Sequence, residues 1–160
     1  MKTSVIKGTS FGLTSGVITT LGLMVGLYSG TNSKFVVLGG ILTIAVADAF
    51  SDALGIHISE ESEGKHSEKE IWVSTIFTII SKFIFSALFL IPVFFLNLQL
   101  AIIISVIWGL ALIGILSYYI ALWQKVTPWK VISEHIIITL VVITLSNFVG
   151  KIATVVFGNV

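Results

Sequence analysis

The chain has 160 residues, 56% of them hydrophobic and only 11% charged, with a formal net charge of +1. Soluble domains carry about 25% charged residues, so the composition excludes a soluble globular domain and indicates an integral membrane protein. There is no arginine to fork onto phosphates and no cysteine for a disulfide or thiolate metal site, so nothing points to a nucleic-acid partner or a redox pair.

Hydropathy resolves five predicted spans: Phe11–Tyr28, Phe35–Ile58, Ile71–Phe95, Leu98–Trp123 and Ile136–Phe157. Each is long enough, at about 1.5 Å rise per residue, to cross a hydrocarbon core of roughly 30 Å with some help from its flanks. Lys2 and Lys7 ahead of the first run give it the look of a signal peptide, but without a small-x-small cleavage site it reads as the first span. This span carries Gly12, Gly16, Gly22 and Gly26, two small-xxx-small pairs that suit either a dimer seam or packing within the chain.

The second span is the most informative. Asp48 and Asp52 lie one helical turn apart, and so on one helix face, in a stretch otherwise fit for the middle of a bilayer. An ionised carboxylate there costs roughly 2.5–3.5 kcal/mol on insertion scales, so such residues face a partner or a water-filled cavity. Asp48 sits about 15 Å from the end of the span, close to the midplane, and Asp52 about one turn nearer that end. Two oxygen donors on one face are what a cation or proton pathway needs. A structural ion pair or hydrogen-bonded pair is the alternative.

Residues 59–70 read as a short acidic loop. Together with the end of the second span they bring Glu60, Glu61, Glu63, Glu68 and Glu70 close in sequence to His57 and His66. Carboxylates with imidazoles suit capture of a divalent cation such as iron, manganese or zinc, against the alternative of an ordinary solvated segment.

In the third span, Lys82 lies at the depth of Asp48 and is its obvious counter-charge, as a static pair or as a partner released when a cation arrives. Pro92 is expected to kink or end this span, with a tight turn near Asn97. Ser15 and Thr19 in the first span, with Thr20, lie at comparable depth and are candidate hydroxyl ligands, although such side chains often bond their own helix. Trp72, Trp123 and Trp129 fall at span ends as interfacial belts, whereas Trp108, inside the fourth span, is expected to pack internally. Pro128 is placed in a loop, His135 beside Glu134 at the start of the fifth span, and Lys151 near its end as a snorkelling residue.

With a cytoplasmic N-terminus the inner side receives Lys2, Lys7, Lys65, Lys69, Lys125 and Lys130, and the outer loops only Lys34. This bias predicts N-in and C-out. Five helices are few to enclose a pathway, so a homodimer is expected.

The order of these features is similar to the vacuolar iron transporter family. The first span, FGLTSGVITTLGLMVGL, resembles that family's GLxDGxxTTxxxxxG opening, and VVLGGILTIAVADAFSDALGIHISEESE resembles its second span and the G-x-Y-x-S-x-x-S-E tail. The last span, ITLSNFVGKIATVVFG, resembles its closing glycine-bearing helix. The resemblance implies a homodimeric carrier that moves ferrous iron or manganese out of the cytoplasm in exchange for protons, using an acid in the first span, an acid or methionine in the second, and glutamates in a cytoplasmic segment. This chain departs from the pattern: Ser15 stands in place of the first-span aspartate, Asp52 in place of a methionine, Ile56 in place of a glutamate and His57 in place of the tyrosine. The cytoplasmic metal-binding segment is reduced to residues 59–70.

The expectation is an all-α membrane protein with a single transmembrane domain of five spans, a multi-pass protein of a prokaryotic cell membrane. Its partners are lipid, a second copy, divalent metal (Fe²⁺ or Mn²⁺) and protons, with no tightly bound cofactor. The metal ligands would be Asp48, Asp52, His57, Glu60, Glu61 and Glu63, with Ser15, Thr19 and Lys82 serving the pathway or its coupling. With no nucleophile–base arrangement and no phosphate loop, an enzyme is not expected. The alternative is a non-transporting membrane subunit or scaffold whose acids pair with Lys82.

Overall fold

The computed structural model describes residues 1–158 and is all-α. The helices are α1 (Lys2–Thr31), α2 (Lys34–Glu63), α3 (Glu68–Ala87), α4 (Leu90–Phe95), α5 (Leu98–Gln124) and α6 (Pro128–Phe157). With α3 and α4 taken together, five helical segments among the described residues are long and apolar enough to cross a membrane. The near end of the bundle is where α1 begins and α2 ends; the far end is where α1 ends and α2 begins.

Helices of 30 residues run about 45 Å, well beyond a hydrocarbon core of roughly 30 Å, so their polar ends continue as helix past the apolar stretch. This changes the acidic segment. Ser59–Glu63 extend α2, and only Gly64–Ser67 lie outside a helix. Gly64, at φ 61°, takes the left-handed C-cap conformation that a side chain would strain. Ser67 then starts α3 with a capping box, in which Glu70 accepts from the Ser67 backbone N–H at 3.2 Å and from its hydroxyl at 2.9 Å. Pro128 is not in a loop but at the first turn of α6, where its missing N–H costs nothing.

Pro92 divides the third span. It offers no N–H to the Leu88 carbonyl, which instead accepts from Ile91 N at 3.2 Å in the tighter i→i+3 pattern. The helix breaks at Leu88–Phe89 and restarts as α4. Lys34, at the start of α2, donates to the Phe94 and Leu96 carbonyls at 3.0 Å each and so caps α4 at the far end. Asn97 then starts α5 by accepting from Leu100 N at 3.0 Å.

The first helix is central: α1 packs against α2, α3, α5 and α6. Its glycines are used within the chain. A Cβ on Gly12 would run into Ser81 Oγ and lie 2.7 Å from the Thr78 carbonyl, and one on Gly16 would lie 3.0 Å from the Lys82 carbonyl. On the far half, Gly22 meets Val142 and Ser146, and Gly26 packs against Ser146 and Gly150 of α6. The two small-xxx-small pairs therefore let α1 approach α3 with one and α6 with the other. The apolar core gathers Val17, Leu21 and Met24 of α1 with Val37 and Ile41 of α2, Phe89 and Val93 by the break, and Ile113 of α5. Trp108 is not packed inside: it is 50% exposed on the outer face of α5.

Candidate functional site

The inward residues of α2 are Val37, Ile41, Ala45, Ala49, Ala53 and Glu60. Three alanines on that stripe bring α2 close to its neighbours, and Asp48 and Asp52 flank it. Opposite them, α3 carries a row of small polar residues at helical spacing, Ser74, Thr78, Ser81 and Ser86, all buried and facing the glycines of α1. Most of these hydroxyls donate to a carbonyl one turn back, as Thr78 does to Ser74 O at 2.8 Å, so they fill the seam without leaving polar groups unpaired.

Lys82 lies in that row and is fully buried. Its ammonium donates to Asp52 Oδ2 and, at 2.9 Å, to Ser15 Oγ of α1. It also touches Asp48 Oδ2 at 2.5 Å, but outside hydrogen-bonding geometry. The one ammonium is therefore ion-paired with both carboxylates. The acids themselves are less enclosed, Asp48 being 28% and Asp52 22% exposed. Asp48 opens onto a groove of about 630 Å³ between α1 and α2, lined also by Leu23, Leu27, Gly40, Thr43 and Ser51. A larger cleft of about 850 Å³ between α1 and α6 is lined mostly by small and apolar residues, among them Gly22, Gly26, Gly30 and Gly150, and does not reach the acids.

Four sequence-selected residues thus come together: Ser15, Asp48, Asp52 and Lys82. Thr19 does not join them through its hydroxyl, which donates to the Ser15 carbonyl at 2.8 Å. The acidic segment does not converge either. Glu60 is turned inward and buried, paired with Lys7 of α1 at 3.0 Å and accepting from the Ser74 hydroxyl. His57 Nδ1 lies 3.0 Å from Thr75 Oγ1, and its ring meets Trp72 edge-on. Glu61 is exposed, and Glu63, also exposed, reaches only His66, at 3.5 Å. Among the described residues, no three His, Cys, Asp or Glu side chains gather where they could hold a metal ion.

Three participants escape a reading of the sequence: Lys7, Ser74 and Thr75. The density of hydroxyls along α3, at Ser74, Thr75, Thr78 and Ser81, is the available signal for Ser74 and Thr75. Lys7 carries none beyond its charge.

Residues 6–72 match the VIT family, the vacuolar iron transporters. The match takes in nearly all of the first two helices, with Ser15 and both acids, and stops ten residues short of Lys82. No curated protein and no solved structure matches the chain.

Proposed function

We propose that this protein is a divalent metal transporter of the membrane, with Asp48 and Asp52 as its intramembrane cation ligands. The observation that carries the reading is the acid pair itself: two carboxylates one turn apart at mid-depth, partly exposed, with Asp48 opening onto a groove. Exposed acids at that depth need water or a covering partner rather than lipid. A second copy laid against the α1–α2 face would cover the groove and enclose a pathway, which favours a homodimer. The VIT match over residues 6–72 is consistent with metal-ion transport in general.

In this reading the near end is cytoplasmic, as the lysine bias indicates. The exposed Glu61 and Glu63 recruit the ion there, with His57 and Glu60 behind them. Oxygen ligands suit iron(II) or manganese(II), and exchange of a metal for protons on the carboxylates would couple export to proton entry. The test is Mn²⁺ and Fe²⁺ flux in proteoliposomes under a pH gradient. Wild type should transport and Asp48→Asn/Asp52→Asn should not; equal flux in the two would end the proposal.

A second reading is favoured by one observation, the burial of Lys82 against both acids. In that reading the trio is a structural clamp in a non-transporting membrane subunit. It predicts that no divalent ion changes thermal unfolding of the purified protein, in wild type or in any Asp48, Asp52 or Lys82 variant.

A further inference from the structure

The oxygens that would ligate a metal at the acid pair are the same ones that now surround an amine. Lys82 Nζ has Asp52 Oδ2, Asp48 Oδ2 and Ser15 Oγ around it, contributed by two helices, and is itself carried by a third. A metal and the ammonium would need the same position. We infer that Lys82 is a tethered competitor for the cation: its side chain fills the site at rest, must withdraw for a metal to bind, and drives release when it returns. The inference rests on the reading of Asp48 and Asp52 as ligands, and assigns to Lys82 the setting of affinity at that site.

Two features support competition over a permanent clamp. The first is charge. Two carboxylates against one ammonium leave the group with a net negative charge in a low-dielectric setting, so it still attracts a cation with the ammonium in place. The second is geometry. Asp52 Oδ2, Asp48 Oδ2 and Ser15 Oγ already converge from two helices on the one position the ammonium fills, an all-oxygen setting that suits a metal cation as well as an amine. The displaced ammonium has somewhere to go: Thr78 and Ser86, one turn to either side of it on α3, offer hydroxyls along the same seam.

The test measures Mn²⁺ affinity of the full chain in detergent by isothermal titration, with Mg²⁺ as control. Lys82→Met removes the competitor and should bind Mn²⁺ at least about tenfold tighter than wild type. Lys82→Arg keeps the charge and should bind no tighter than wild type. Adding Asp48→Asn and Asp52→Asn to Lys82→Met should abolish the gain. Affinity in a cooperatively folded Lys82→Met protein equal to or weaker than that of wild type overturns the inference. Should Lys82→Met fail to fold, wild type labelled with ¹⁵N at lysine Nζ decides. The Lys82 resonance, assigned by its loss in Lys82→Arg, should move at saturating Zn²⁺, and an unmoved resonance overturns the inference. Tighter binding by Lys82→Met together with no flux through wild type would leave the competition standing and sink the transport reading.

Discussion

Lys7 of α1 holds Glu60 of α2 at 3.0 Å, and the two differ sharply in exposure: Glu60 is 2% exposed, Lys7 38%. The carboxylate is thus enclosed at the near end, while its cation can still reach water.

Removing the cation leaves Glu60 buried with only the Ser74 hydroxyl to serve it. Lys7→Met should therefore destabilise the protein, by about 1–3 kcal/mol. Glu60→Gln, which keeps the Ser74 contact, should cost less, and the double variant should fall well short of the sum of the two, because the sites share one interaction. Thermal unfolding of the four proteins in one detergent gives the cycle.

At mid-depth the asymmetry is greater, because Lys82 has no water to turn to. With no metal present, Lys82→Met strands two partly buried acids and should destabilise by about 3 kcal/mol or more. Asp48→Asn and Asp52→Asn added to it should restore much of that loss, since all three charges then disappear together. Unfolding of the single and triple variants in metal-free buffer checks both.

The glycines of α1 and α2 predict opposite outcomes. Gly12→Val puts a side chain where Ser81 Oγ and the Thr78 carbonyl already lie, and should cost about 2 kcal/mol or prevent folding. A Cβ added to Gly39 would meet nothing within 4 Å, so Gly39→Ala should gain about 0.5–1 kcal/mol through helix propensity alone. Melting temperatures should move in opposite directions.

Glu70 gives a pH signature outside the apolar stretch. The Ser67 hydroxyl, then the amino terminus of Met1 at 3.1 Å, lower its carboxyl from 4.5 to about 2. A carboxyl lowered in the folded state stabilises it above the unfolded value, and the gain is lost as pH falls from about 4.5 toward 2. Wild type should be more stable than Glu70→Gln at pH 6, and the difference should shrink steadily through that window in thermal unfolding.

How much of this is written in the sequence depends on the kind of signal. The spans follow from hydropathy, and the Lys82 partnership from depth, because a straight helix converts residue count into position across the membrane. That count could not say whether Lys82 meets one acid or both. The acidic segment spreads out for a geometric reason. Glu60, Glu61 and Glu63 are neighbours in sequence, but α2 continues through them, and at about 100° per residue they point in different directions. Glu60 goes inward to Lys7, and the other two go outward. The glycines leave two packing partners open because spacing marks a close approach without naming what approaches. The division at Pro92 is expected, but its place is not, since the ring disrupts the carbonyl four residues earlier.

The chain order of the trio bears on how the protein is made. Asp52 emerges from the ribosome thirty residues before Lys82, and Asp48 earlier still. A hairpin of α1 and α2 alone would hold two acids in the bilayer with no counter-ion. The third helix brings the counter-ion that the first two lack, so the polar centre of the bundle is complete only when all three have docked.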